Sequence, residues 1–429
     1  MTRELILGIL LEVTRDGAYS HVALRNVLTK YQYLDKRERA FITRVTEGTL
    51  ERMIEIDYIL NQFSKVKVDK MKPVIRCILQ SSVYQLKYMD AVPNSAVCNE
   101  AVKLASKKGF HNLKGYVNGV LRNISRNLDQ VVYPDKSDFV QYLSVRYSMP
   151  VWILKQWLSA YDAETVETML EDFLKEKPTT VRCNLNQCTV AELTESLRKE
   201  GVEVQTHPRL SYALSISGYD YLANLESYRK GMFYIQDISS MLVTETADPK
   251  AGDYVIDVCA APGGKALHMA EKLDGTGHVE ARDLTDYKVN LIQENILRTG
   301  ITNVSAVKQD ATESDAASLE KADIVIADLP CSGLGVLGKK TDLKYKMTEA
   351  IQRELVALQR SILSNVQSFV KPGGTLVYST CTIHKGENEE NVAWFLEQFP
   401  NFALEGEARQ LLPGVDASDG FFIAKFKRV

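Results

Sequence analysis

Between Ile324 and Gly333 the chain reads IVIADLPCSG, and between Tyr378 and Thr382 it reads YSTCT. The first is a run of apolar β-formers that ends in Asp328, Pro330 and Cys331, and the second repeats the form with Cys381. Short apolar runs bounded by Gly and Pro predict buried parallel strands. From Phe233 to Val429 such runs alternate with helical stretches, the pattern of an α/β domain. Strands are expected at 254–258, 278–281, 304–307, 324–327 and 375–378, with a final antiparallel pair that includes 421–427. The longest helix is expected over 348–370, stopped by the turn Lys371-Pro-Gly-Gly. In an open sheet the residues just past the carboxyl ends of the strands line the ligand crevice. Two strand tips would then each present a cysteine, one with a carboxylate beside it, which suits thiol chemistry next to a bound small molecule.

A chain of 429 residues exceeds one ordinary domain. Residues 1–130 read as an all-α bundle, with Leu5, Ile6, Ile9, Leu10 and Val13 on one helical face and Pro73 opening a later helix. Residues 131–141 contain Pro134 and read as a linker. Residues 142–232 read as a small α+β module, helical at first and then switching to strands from Thr179. Residues 233–429 are the α/β domain. Trp152 and Trp157 sit on an apolar face and are read as core rather than as a stacking platform. Arg182 and Asn184 on the first strand of the small module are candidate substrate contacts.

Charge is unevenly spread. Residues 1–135 carry a net +7 and the remainder −10. A basic front end on an acidic body suits a polyanion contact confined to one end, as well as an ordinary solvated helical surface. The amino terminus has no signal-peptide pattern, and no run of eighteen apolar residues is present. Seven cysteines without CxxC spacing argue against a disulfide framework and against zinc, and for a reducing cytoplasm.

The segment DVCAAPGGK, Asp257 to Lys265, follows one expected strand and opens a helix. Its glycines allow a tight turn and close backbone approach to a ligand. A nucleotide-triphosphate loop would need Gly in place of Cys259 and Ser or Thr in place of Ala266, so that ligand is excluded. Asp283 lies past the next strand, where an acid can accept ribose hydroxyls. Asp310 follows the third strand, where it could meet an adenine amino group, and Asp328 ends the fourth. Three acids at successive strand tips suit a cationic adenosine-bearing ligand and would repel a pyrophosphate. S-adenosylmethionine is such a ligand, and the expected cofactor set is Cys259, Ala260, Ala261, Pro262, Gly263, Gly264, Lys265, Asp283, Asp310 and Asp328.

Taken together, QDISSML, DVCAAPGGK, DLPCSG, STCT followed by ENEENV, and DGFFIAKF resemble the Sun-type RNA (cytosine-5)-methyltransferases over 233–429. At the other end, VPNSAVCNEAVKLASKKG followed by KGYVNGVLRNISR resembles the NusB-like RNA-binding domain over about 1–130. The resemblance implies a Rossmann-like methyltransferase domain, S-adenosylmethionine as methyl donor, and 5-methylcytosine in 16S ribosomal RNA as product, on free RNA or on an early small-subunit particle. It also implies Cys381 as the nucleophile that adds to carbon 6 of the base, Cys331 as the residue that helps release the adduct, and Asp328 as the partner of the base at N3 and N4. In the bundle Lys107, Lys108, Lys114, Arg122 and Arg126 are the implied RNA contacts. No metal, no membrane and a monomer are expected. Cys77, Cys98, Cys183 and Cys188 are read as structural, and His384 as loop.

Two departures from the family pattern stand out. The segment after Cys331 has Lys339 and Lys340 where relatives usually carry an Arg near Gly338 and a Pro near Thr341. The strand before Asp283 is less apolar than usual, so a short or near-edge strand is expected there. Rival readings are an amino-methylating enzyme, a cytosine-5 enzyme acting on transfer RNA or another RNA, and a non-catalytic RNA-binding or antitermination factor. The first would need an Asn- or Asp-Pro-Pro-aromatic tetrad where this chain has Asp328-Leu-Pro-Cys. The last would leave the cofactor and thiol motifs idle.

Overall fold

The computed structural model describes residues 1–429 and divides into two compact units. The first comprises Met1–Leu174 together with Leu337–Met347, and the second Lys175–Val336 with Thr348–Val429. No helix is long and apolar enough to cross a membrane.

The first unit is helical: α1 (Thr2–Thr14), α2 (Ser20–Lys30), α3 (Lys36–Glu51), α4 (Met53–Phe63), α5 (Pro73–Tyr88), α6 (Asn94–Lys107), α7 (Lys114–Arg126), α8 (Phe139–Tyr147), α9 (Val151–Leu158) and α10 (Ala163–Phe173). Local chemistry sets several starts. Asp35, Asp138 and Asp162 cap α3, α8 and α10 by accepting a backbone N–H of the first turn, and Pro73 opens α5, where no N–H is needed. Ile6, Leu10, Ile42, Val45, Ile59, Ile78, Val83 and Leu121 are buried in one core. Gly48 lets α3 meet α5, since a Cβ there would lie 2.0 Å from the Tyr84 ring. Trp157 is buried and stacks on Phe173, the core role read from its spacing.

The second unit opens with a four-stranded antiparallel sheet. It contains β1 (Thr179–Cys183), α11 (Val190–Lys199), β2 (Glu203–Thr206), β3 (Ala213–Ser217), α12 (Glu226–Arg229) and β4 (Phe233–Ile235), in the strand order β2-β3-β1-β4. Thr189 and Glu192 form a reciprocal capping box that starts α11. The expectation that Arg182 and Asn184 touch substrate is overturned. Both are fully buried. Arg182 donates to Gln236 Oε1 at 2.7 Å and to Glu271, while Asn184 donates to the carbonyls of Gly231 and Thr299. An alternating strand places these side chains inward, where each polar group needs a protein partner.

The large sheet follows. α13 (Ile238–Ala247) leads to β5 (Tyr254–Asp257), α14 (Gly264–Lys272), β6 (His278–Asp283), α15 (Asp286–Thr299), β7 (Val304–Lys308) and β8 (Ala322–Asp328). The chain then leaves for the helical unit, where α16 (Leu343–Lys346) forms. It returns with α17 (Glu349–Val366), β9 (Val370–Thr380), α18 (Glu389–Gln398), β10 (Phe402–Leu404), β11 (Arg409–Leu411) and β12 (Phe421–Arg428). The order is β10-β12-β9-β8-β5-β6-β7, with β11 also on β12. β5 to β9 run parallel and β12 antiparallel. Both faces are apolar: one cluster includes Leu267, Ala270 and Ile292, and the other Leu363, Val366 and Phe395. Helices therefore cover both sides.

One expectation is corrected and a second is met in part. The long helix stops at Val366, apart from one 3-10 turn, and Lys371-Pro-Gly-Gly lies within β9 instead of forming a separate turn. There the pairing with β8 shifts between Ala322 and Ile324, an irregularity that Gly373 at φ +75° permits. The strand before Asp283 is near the edge, as expected: β6 lies between β5 and the edge strand β7. It is not short, spanning six residues, and its Arg282 is neutralised by Glu280 at 2.6 Å and Asp315 at 3.1 Å.

The excursion Leu337–Met347 completes the helical unit. Asp342 accepts Ser20 N at 3.0 Å and Ser20 Oγ at 2.6 Å, capping α2, whose own N-cap residue Tyr19 makes no side-chain bond. Lys344 Nζ donates to Glu51 O at 2.8 Å, at the end of α3, and Lys346 to the carbonyls of Gly17 and Ala18. Asp342→Ala should therefore destabilise this unit by about 1–2 kcal/mol, the usual cost of losing a cap. Urea unfolding followed by circular dichroism measures it, and an unchanged midpoint would contradict the cap.

Candidate active site

The chain steps outward from β5 to β6 to β7 and then crosses back to lay β8 on the other side of β5. Loops leaving β5 and β8 therefore diverge, which opens a crevice at the carboxyl edge of the sheet. The loop after β5 is held by Ala260 N to Arg282 O at 2.8 Å and by Gly263 N to Ala260 O at 2.7 Å. Gly263 caps α14 at φ +108°, a conformation open to glycine. Cys259, Ala261, Gly264 and Lys265 are partly exposed and Pro262 exposed, whereas Ala260 and Gly263 are buried.

Charges converge around this loop. Asp283, at the end of β6, accepts Ala261 N at 3.0 Å and lies 2.9 Å from Lys288 Nζ. Lys265 Nζ pairs with Asp328 Oδ2 at 2.8 Å. Burial opposes the lysine's charge, but Asp328 and then Asp257 outweigh it and its pKa rises. Asp328 Oδ1 accepts Ser379 Oγ at 2.7 Å, because the parallel register puts Asp328 opposite Ser379. Asp257 is buried and neither carboxylate oxygen has a partner. Burial pushes its pKa up to about 7, against the pull of Lys265. Asp310, beyond β7, stands apart: its carboxylate is taken by Thr312 N at 2.8 Å and Thr312 Oγ1 at 2.6 Å, which hold its pKa down.

The two cysteines meet. Cys331 Sγ and Cys381 Sγ are 3.3 Å apart. The bond to Cys381, then burial, then the charges of Cys381 and Glu387 hold the Cys331 thiol well above its ordinary pKa. Either sulfur can donate to the other across this contact. Their loops are laced by Leu329 N to Ser379 O at 3.1 Å, Gly335 N to Cys381 O at 3.0 Å and Gly420 N to Gly335 O at 2.8 Å. Gly335 has no room for a side chain, since a Cβ would sit 2.0 Å from Gly420 O.

Family models match three stretches: the 16S rRNA methyltransferase RsmB/F over residues 244–427, the NusB family over 1–126, and the RsmF/B-like ferredoxin-like domain over 149–219. The probable ribosomal RNA small subunit methyltransferase B of Bacillus subtilis (strain 168) is 35% identical over 447 residues, covering 99% of this chain and 98% of that protein. The chain belongs to the RsmB/F family of 16S rRNA methyltransferases. Among solved structures, that of PH0851 matches with TM-score 0.84 and 26% identity, covering 99% of this chain and 98% of its own. A methyltransferase homolog from Pyrococcus horikoshii matches with TM-score 0.59 and 26% identity, covering 67% and 98%.

S-adenosylmethionine is the cofactor of such a family, and the site suits it. Asp257 offers two unpartnered carboxylate oxygens to a cation beside a loop that glycine keeps open, and Asp283 adds a second acid. Asp257 escaped the sequence reading, although it opens the loop motif, because no spacing rule marks an acid as unpaired. Ser332, Ser379, Thr382 and Glu387 escaped it too, since their bonds to the cysteine loops span up to 55 positions.

If the cation is held by Asp257, the carboxyl must be charged when it binds. Below about pH 7 the carboxyl is protonated and must lose that proton on binding, so affinity should fall as pH drops through 7. Calorimetry in buffers of differing ionisation enthalpy should show proton release near pH 7 that vanishes in Asp257→Asn. Release that persists in the variant would place the titrating group elsewhere.

Proposed function

We propose that the chain transfers the methyl group of S-adenosylmethionine to carbon 5 of a cytosine in 16S rRNA through a covalent bond between Cys381 and carbon 6. The observation that carries this reading is the sulfur pair at 3.3 Å, one cysteine just past β8 and the other just past β9. The resemblance of the STCT segment assigns Cys381 as the nucleophile and leaves Cys331 for release.

Carbon 5 of cytosine is a weak nucleophile. Addition of Cys381 Sγ at carbon 6 makes the ring an enamine, whose carbon 5 takes the methyl that the cofactor's sulfonium supplies. Asp328, fixed by Lys265 and Ser379, faces N3 and N4 and orients the base by accepting from its N4 amino group, while the Lys265 ammonium beside it offsets the negative charge that addition creates. Cys331, once ionised, takes the carbon 5 proton as the Sγ–C6 bond breaks and its electron pair returns to Cys381; over the cycle one proton passes to solvent. The base must first leave its stack, at a cost of a few kcal/mol when it is paired.

RNA reaches the bundle, in this reading, through the exposed face of α7 that carries Lys114, Arg122 and Arg126. Lys107 and Lys108 are less available, since both pair with Glu4 at 2.7 and 3.3 Å. The protein acts as a cytoplasmic monomer on free 16S rRNA or an early small-subunit particle, without a metal.

With labelled cofactor, wild type should place 5-methylcytosine in 16S rRNA. Cys381→Ser should lose at least about 1000-fold, as expected when a covalent nucleophile is removed. Cys331→Ala should accumulate a protein–RNA adduct that survives denaturing electrophoresis. Transfer to transfer RNA alone would reassign the substrate, and activity in Cys381→Ser would end the covalent mechanism.

A further inference from the structure

Beneath the sulfur pair lies a polar cluster that the reaction scheme leaves unused. Glu387, just ahead of α18, is fully buried. Its Oε2 accepts Ser332 N at 2.9 Å and Gln359 Nε2 at 3.0 Å, and its Oε1 accepts Ser332 Oγ at 2.5 Å. Ser332 Oγ also lies 2.6 Å from Thr382 Oγ1. A carboxylate only accepts and a serine hydroxyl has one proton, so Thr382 donates to Ser332 and Ser332 to Glu387. Ser332 follows Cys331 and Thr382 follows Cys381. One buried carboxylate thus grips the residue after Cys331 directly and reaches the residue after Cys381 through the Ser332 hydroxyl.

The surroundings keep Glu387 in place. Gln359 Nε2 also donates to Pro330 O at 2.9 Å, one residue before Cys331. Tyr378 donates its hydroxyl to Glu387 O, and Asn391 Nδ2 donates to Gln359 Oε1 at 2.8 Å. Asn388 accepts Thr380 Oγ1 at 2.6 Å and donates to Thr382 O at 3.1 Å. His384 Nδ1 stands 3.2 Å from Glu387 Oε1. The loops after β8 and β9 are therefore pinned from both sides, with Glu387 at the junction.

We propose that Glu387 is a positioning residue for adduct release, clamping the Cys331 loop to the Cys381 loop so that the second sulfur stays within reach of the reacting carbon. This assignment rests on the covalent mechanism above. The carboxylate touches neither base nor cofactor in that scheme and acts through Cys331. Its negative charge also pushes the Cys331 thiol's pKa upward.

The test uses the full chain, 16S rRNA and labelled cofactor, and reads turnover, KM for RNA and trapped adduct together. Glu387→Ala removes the grip: kcat should fall about 100-fold, the scale of an ångström-sized misplacement, while adduct accumulates. KM for RNA should stay within about threefold, since ground-state binding is untouched. Glu387→Gln can still bridge both loops if the Thr382–Ser332 chain reverses. It should regain turnover to within about tenfold of wild type, with the limb of the pH profile set by Cys331 displaced to lower pH as the negative charge is lost. If Glu387→Ala does not fold, Ser332→Ala removes only the hydroxyl link and should show the same adduct accumulation to a lesser degree. Wild-type turnover without trapped adduct in folded Glu387→Ala, or in Ser332→Ala should the first not fold, overturns the assignment. Wild type and Cys331→Ala run beside them separate the two failures. If wild type makes no 5-methylcytosine, the reading of the site falls and Glu387 with it. If both controls behave as stated and the Glu387 variants match wild type, only the clamp falls.

Discussion

The parallel pairing of β8 with β9 sets Asp328 opposite Ser379, and the chemistry of the site hangs on that register. From it follow the Ser379 bond to Asp328, the contact of Leu329 with Ser379, and a cysteine placed just beyond each strand. A slip of one residue would turn every side chain of β9 to the opposite face. Asp328 would lose its hydroxyl partner and Cys381 would point away from Cys331. The apolar residues on both faces of these strands are thus doing more than supplying cohesion; they forbid the slip.

Electrostatics in the crevice is arranged by unequal sharing. Lys265 is given to Asp328, and Asp283 is occupied by Ala261 N and Lys288. Asp257 is left buried and without a partner. A buried carboxylate in that state costs stability, and such a cost is found where a ligand can offset it.

How much of this could be read in the chain depends on distance along it. The strands 254–257, 304–308 and 322–328 and the helices 94–107 and 114–126 were legible, because alternation, Gly and Pro act within a few residues. The gathering of Cys331, Cys381, Asp328 and the loop after β5 was legible as well, since each lies at a strand end and parallel strands share an edge. Arg182 was misjudged because a buried arginine with two partners looks, in sequence, like a surface arginine awaiting one. Pro372 and Gly373 were read as a turn by their type, and they do interrupt the ladder: β9 pairs with β8 at Val370 and again from Thr375, with the residues between them set into the irregularity. Glu387 carries no local mark of its function; it is one of several acids in ENEENV, and only the fold sets it apart from the exposed Glu389 and Glu390.

The excursion Leu337–Met347 has a consequence for how the chain is made. The helical unit is synthesised first, yet Asp342, Lys344 and Lys346, which close α2 and α3, emerge from the ribosome some 170 residues after Leu174. At about 5–20 residues per second that is a wait on the order of ten seconds or more. During it, Ser20 and the end of α3 must be satisfied by water. The amino-terminal unit therefore reaches its final form only once most of the second unit has been translated, and the two mature together rather than in turn.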